Sequence, residues 1–212
     1  FLALIGWHPG GDRELLFSDT TGDALLDAFD ITRIQRSGGA FNPEKLAWMN
    51  GEHLKQLPAA AQATYVVAAL APEEETVRTR LQKLTPTILE RYRTQKEIRA
   101  AAAEGEFDWV YTAPEYDAAL LQWKYDASLD AAAPRLAHVQ TLLEAADFSS
   151  PETIKAAIWE YAEATGKGEV LWPLRVALSG RERSPDPFTL LYVLGPAESA
   201  ARLATACAKI ES

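Results

Sequence analysis

The chain has 212 residues, is 48% hydrophobic and carries a net charge of −9, with 21 Lys and Arg against 30 Asp and Glu. Such a chain can bury a core in one or two domains, and its longest apolar stretches, such as residues 65–71, are far too short to cross a bilayer. The acidic balance weighs against a polyanionic partner, because nucleic-acid binding is dominated by phosphate neutralisation. The one cysteine, Cys207, has no internal partner, so a folded, soluble protein in a reducing cytoplasm is expected, with no membrane association.

In chain order the signals are helical, and no run alternates apolar and polar residues as a half-buried strand would. The class is all-α. Residues 1–7 read as the end of an apolar helix stopped by Gly6, and residues 23–29 as a short amphipathic helix. The N-terminus lacks both an initiator Met and a basic leader, so the chain reads as a piece of something longer. Asn42-Pro43 with Glu44 gives a helix start, Asn as N-cap and Pro in the first turn, running to about Lys55. Helices follow over 59–70 and 72–84, and Thr85-Pro86 opens a long one through 103. Further helices are expected over 114–125, 129–146, from Ser150-Pro151-Glu152 to 165, and over 170–178, 185–194 and 196–210. Gly166-Lys167-Gly168 has the wrong spacing for a P-loop and caps the helix before it. Leu190, Leu191, Val193 and Leu194 fit a packing stripe, and Trp109, Trp123 and Trp159 read as one large core anchor per segment.

The residues offer little to catalysis. His8, His53 and His138 are isolated in sequence, and neither metal-ligand spacing nor a nucleophile elbow occurs. No catalytic residue and no metal ligand is therefore assigned. Charge is uneven, however. Arg91, Arg93, Lys96 and Arg99 face only Glu90 and Glu97 within residues 90–99, and Arg175, Arg181 and Arg183 face only Glu182 within 173–184. Local basic patches on an acidic body can still meet a polyanion, although solvated helix faces would look the same.

Several segments in order carry a resemblance. Phe1-Leu-Ala-Leu-Ile-Gly-Trp-His-Pro-Gly10, Ala28-Phe29-Asp30 with Arg33, Phe41-Asn-Pro-Glu-Lys45-Leu-Ala-Trp48-Met-Asn-Gly51, Arg91-Tyr-Arg-Thr-Gln-Lys-Glu-Ile98 and Trp172-Pro-Leu-Arg175-Val-Ala-Leu-Ser-Gly180-Arg181 resemble the C-terminal part of bacterial-type glutamyl-tRNA synthetases. The family's anticodon-binding region is a cage of α-helices of the class I synthetases, whereas archaeal and eukaryotic cytosolic relatives carry β-barrels there. The resemblance implies a stem-contact segment over 1–57 and two anticodon-binding subdomains over 58–113 and 114–212. The motifs that bind ATP and Mg and activate glutamate would lie in an N-terminal catalytic domain before Phe1. The chain itself is expected to use no cofactor, to be catalytically silent and monomeric, and to bind the anticodon arm of tRNA(Glu).

By the same resemblance, Arg91 stands where a family arginine reads the third anticodon base. A planar guanidinium there accommodates cytosine and conflicts with the donors of guanine. Arg175 aligns with a second arginine on the anticodon. Ser184 and Pro187 stand where small and apolar residues cradle an unstacked base, Ser184 replacing a more usual Thr and Pro187 a more usual Leu. Arg181 adds a candidate phosphate contact, as does Lys45. Trp48 either stacks on the RNA or anchors its helix. The alternative from another class is a helical interaction scaffold that has lost tRNA binding, supported by the −9 charge and the departure at Pro187.

Overall fold

In the computed structural model, residues 1, 5–8, 24–35 and 39–211 are described, and among them every regular element is helical. The chain runs through α1 (Ala24–Ala28), α2 (Pro43–Gln56), α3 (Ala59–Leu70), α4 (Glu75–Arg91), α5 (Gln95–Ala103) and α6 (Asp108–Tyr111). It continues through α7 (Ala132–Glu144), α8 (Pro151–Thr165), α9 (Lys167–Ser179), α10 (Pro187–Leu194) and α11 (Pro196–Glu211). Single 3₁₀ turns occupy Ile31–Arg33, Ala118–Leu121 and Leu129–Ala131. No helix among the described residues is long and apolar enough to cross a membrane.

The starts are set by side chains that take up the orphan N–H groups of a first turn. Asn42 accepts from the Lys45 N–H at 3.1 Å, with Pro43 at the first helical position. Replacing Asn42 with alanine should lower stability by about 1 kcal/mol. Chemical denaturation would show it as a shifted midpoint. Ser150 and Thr153 form a capping box on α8, and Asp186 accepts from the N–H groups of Phe188 and Thr189 at 3.0 and 3.1 Å on α10. Gly166, at φ +128°, ends α8 and begins α9, as its place in the sequence suggests.

Two expected elements differ. Thr85-Pro86 does not open a helix: Pro86 lies inside α4. The break falls instead at residues 92–94, where Thr94 accepts from the Glu97 N–H and Glu97 accepts in return from the Thr94 N–H at 3.1 Å. Proline interrupts one i→i−4 bond, and here the carbonyl it frees belongs to Gln82 on the exposed side of α4, where water can take it up. Residues 114–125 form only the short turn Ala118–Leu121, and distant side chains pin the segment. The Leu120 carbonyl accepts from the Trp172 indole N–H at 2.9 Å, and Asp126 just beyond is held by a bidentate pair with Arg135 at 2.6 and 2.9 Å. At the N-terminus, Ile5 and Gly6 make a bend, Gly6 at φ +84° accepting from the Gln35 N–H at 2.7 Å; the helix expected before Gly6 falls on residues 2–4, which lie outside the described set.

Pro173 lies inside α9, and the carbonyl it leaves unpaired, four residues back at Glu169, accepts from Arg135 at 3.3 Å. One buried cluster runs from Leu54 to Ala206, with Leu81, Leu84, Ile88, Trp109, Leu174 and Leu190 among its members. Within it α3 packs on α4 and α5, α7 on α9 and α11, and α10 on α8 and α9. The packing of α10 on α4 joins the earlier helices to the later ones and brings the end of α4 beside the turn before α10.

Candidate nucleic-acid interface

Arg91 is the last residue of α4, a position where a cation also complements the negative end of the helix. Its side chain is 54% exposed and forms an ion pair with Glu106 in the connection between α5 and α6. The same carboxylate accepts from the Tyr92 hydroxyl, and the guanidinium lies 5.4 Å from the Tyr92 ring centroid. Burial, reinforced by the bond to Glu106, pushes the Tyr92 hydroxyl up to about 12, so at neutral pH it remains a proton donor. Glu106 thus fixes the guanidinium at the rim while leaving part of its donor fork open to solvent.

A shallow cleft begins at this point, lined by Ile88, Arg91, Tyr92, Glu106, Trp109 and Pro185. The turn after α9 supplies its far wall. Gly180, at φ +68°, ends α9, and an added Cβ would collide with the Pro114 ring, which leaves glycine as the residue that fits. Arg181 then reaches back to donate to the Glu104 carbonyl at 3.3 Å. Arg91, Arg181 and the Ser184-Pro185 pair therefore gather around residues 104–107, although they stand up to 94 positions apart in sequence.

The remaining candidates are placed differently. Arg175 is half-buried on α9, and its Nε is buried with no hydrogen-bond partner among the described residues. Ser179 donates to the Arg175 carbonyl at 2.8 Å and accepts from the Arg181 N–H at 3.3 Å, so one hydroxyl ties the turn bearing Arg175 to the start of the loop. Ser184 donates to the Pro185 carbonyl at 3.1 Å. Pro187 is buried at the first position of α10, and Pro185, two residues earlier, is the proline that lines the cleft. Lys45 and Trp48 are half-buried on α2, outside the cleft lining. Their helix is joined to it through the chain just after Arg91: Asn50 donates to the Arg93 carbonyl, and Gly51 lies against the Arg93 side chain, to which an added Cβ would come within 3.0 Å.

Sequence reasoning missed Glu106 and Pro185. Glu106 is one acidic residue among many, and only the return of the α5–α6 connection onto the end of α4 gives it a role. Among the described residues no group of three His, Cys, Asp or Glu could hold a metal ion.

The cleft itself holds only ≈ 10 Å³, so a ligand would meet the cations at its rim, and the comparisons narrow which ligand that is. A family model described as an anticodon binding domain matches residues 52–207, most of the chain and all of the elements that build the cleft. The chain belongs to the anticodon-binding-domain family. This domain is similar to glutamate–tRNA ligases from Chloroflexus aurantiacus (33% identical) and Herpetosiphon aurantiacus (31% identical), matched along its whole length and along 43% of each relative. It thus spans less than half the length of the curated relatives it matches. A solved glutamate tRNA ligase from Elizabethkingia meningosepticum, crystallised in complex with its amino acid, superposes on the domain with a TM-score of 0.67 at 25% identity, covering all of this chain and 40% of that one.

Proposed function

We propose that this anticodon-binding domain reads the anticodon arm of tRNA(Glu) on behalf of a bacterial-type glutamate–tRNA ligase. The observation that carries the reading is the exposed Arg91 guanidinium, oriented by Glu106 and facing the Ser184-Pro185 turn with Arg181 alongside. Arg91 reads the third anticodon base by its donor fork, the Pro185 ring offers an apolar edge to an unstacked base, and Arg181 meets backbone phosphate. Arg175 contributes a second cation from α9, reaching the RNA through whatever part of its half-buried guanidinium faces solvent, since its Nε is buried. Ser184 supplies a hydroxyl at the turn, and Pro187 shapes the turn from beneath. Residues 1–57 contact the stem, with Lys45 on a phosphate and Trp48 beside it, while residues 58–113 and 114–212 form the two anticodon-reading subdomains. Glutamate activation with ATP and Mg belongs to a catalytic domain outside these 212 residues, in a cytoplasmic enzyme that acts as a monomer.

The scaffold alternative rests on the −9 charge and on Glu106, which already neutralises Arg91. A filter-binding titration of the chain against tRNA(Glu) over a salt series separates the two. Anticodon reading predicts binding that weakens steeply with salt, and a Lys45→Ala variant that weakens all tRNAs alike and lowers the salt slope by about one. Absence of binding at low salt would leave the scaffold reading.

A further inference from the structure

Residues 122–126 leave the Ala118–Leu121 turn as a loop crossing the flank of α9, and they carry an aromatic cluster that the anticodon site does not use. The Trp123 and Trp172 rings lie 5.6 Å apart at 53°, and the Trp123 and Tyr125 rings 5.7 Å apart at 83°. The Lys124 ammonium stands 5.4 Å from the centre of Trp123 and 4.6 Å from that of Tyr125. A groove of ≈ 420 Å³ opens here, lined by Leu120, Gln122, Trp123, Lys124, Trp172 and Glu182, within the range of about 300–1,000 Å³ usual for small-molecule sites. Tyr125 stands at its edge, 76% exposed.

The platform is built rigidly. The bond from the Trp172 indole to the Leu120 carbonyl fixes that ring, and Gly168 of α9 lies so close to the face of Trp123 that an added Cβ would collide with it. An aromatic held this way loses little freedom on binding, and a ring as exposed as Tyr125 is not there to fill a core. The groove also continues the anticodon site. Trp172 precedes Arg175 by three positions on α9, which places both on one side of the helix, and Glu182 sits between Arg181 and Arg183 in the turn that reaches the Arg91 cleft.

The geometry points to a second nucleobase seat in this groove, for one unstacked base of the same bound tRNA. This rests on the anticodon-reading proposal above. The base stacks on the exposed Tyr125 ring in place of the Lys124 ammonium, Trp123 at 83° to that ring bounds the seat, the displaced Lys124 meets the backbone phosphate, and the base edge donates an N–H to the Glu182 carboxylate. Stacking of this sort is sequence-tolerant because every base has a π face. Glu182 biases the seat toward bases with an exocyclic amino group.

The test is a fluorescence-anisotropy titration of the full chain with a labelled anticodon arm of tRNA(Glu), comparing Tyr125→Leu, Tyr125→Trp, Lys124→Gln and Arg91→Ala. Tyr125→Leu should weaken binding about 5- to 100-fold and Tyr125→Trp should bind as the parent does, since loss of the flat ring and not of apolar area is the cause. Lys124→Gln should lower the salt slope. Both exposed positions can be changed without disturbing the core, so an effect there does not report misfolding. Parental binding by Tyr125→Leu and Lys124→Gln, together with weakened binding by Arg91→Ala, would overturn the second seat and leave anticodon reading intact. No binding by the parent chain would overturn both.

Discussion

Replacing Arg202 with methionine is expected to destabilise the fold by about 3–5 kcal/mol, because it leaves two carbonyls without their donor and Glu198 with Arg80 as its remaining counter-charge. The Arg202 side chain on α11 is 2% exposed. Its Nε donates to Glu198 at 2.8 Å, its Nη1 to the Leu178 carbonyl at 2.6 Å and its Nη2 to the Thr112 carbonyl at 3.1 Å. Leu178 lies in the last turn of α9, whose carbonyls have no partner within the helix, and Thr112 directly follows α6. Glu198 in turn pairs with Arg80 of α4 at 3.3 Å, and Arg80 donates to the Val110 carbonyl at 2.9 Å. One guanidinium therefore helps to hold four helices together at the joint that positions the cleft. Denaturant unfolding of the variant should show the loss as a lowered midpoint, and a midpoint unchanged from the parent would contradict this role.

The same network predicts a pH dependence. Burial by itself pushes the Glu198 carboxyl up, but Arg202 and then Arg80 outweigh it and hold the group below its ordinary value of 4.5. A carboxylate depressed in the folded state contributes its full stability above the unfolded value and loses it as the pH falls through the folded one. Stability should therefore drop as the solution is acidified below the usual carboxylate range, and Glu198→Gln should flatten part of that drop.

Replacing Arg91 with alanine is expected to cost about 1–3 kcal/mol of binding to tRNA(Glu) and to relax the choice of third anticodon base. The side chain is exposed and terminal on its helix, so the fold should survive the change, and loss of binding would report the guanidinium itself. Equal weakening toward a tRNA with cytosine and one with guanine at that position would make Arg91 a phosphate contact and not a base reader.

Much of this arrangement is legible in the sequence wherever short-range chemistry decides it. Asn42-Pro43 and Ser150-Pro151 announce helix starts because caps act within three residues, and the limits of α3 at 59 and 70 follow from Pro58 before it and Pro72 after it. Thr94 and Glu97 form a capping box that the sequence also displays, yet Pro86 is the louder signal and draws the boundary to the wrong place. What short-range rules miss is settled by distant partners. Residues 114–125 form no regular helix, and Trp172, 52 positions beyond Leu120, instead holds the segment through the Leu120 carbonyl. In the candidate site, Arg91 and Arg181 are visible as cations, but Glu106 acquires its role only through tertiary contact. Trp123 reads as a core anchor in sequence and proves to be half-buried beside an exposed tyrosine and a lysine.

Recognition of an anticodon by this domain stands or falls on a titration of the unaltered chain. Its affinity for tRNA(Glu) would be compared with that for the same tRNA carrying G in place of C at the third anticodon base. Anticodon reading through Arg91 predicts tighter binding of the unaltered tRNA at both low and moderate salt. Equal affinity for the two, or no binding of either, would contradict it.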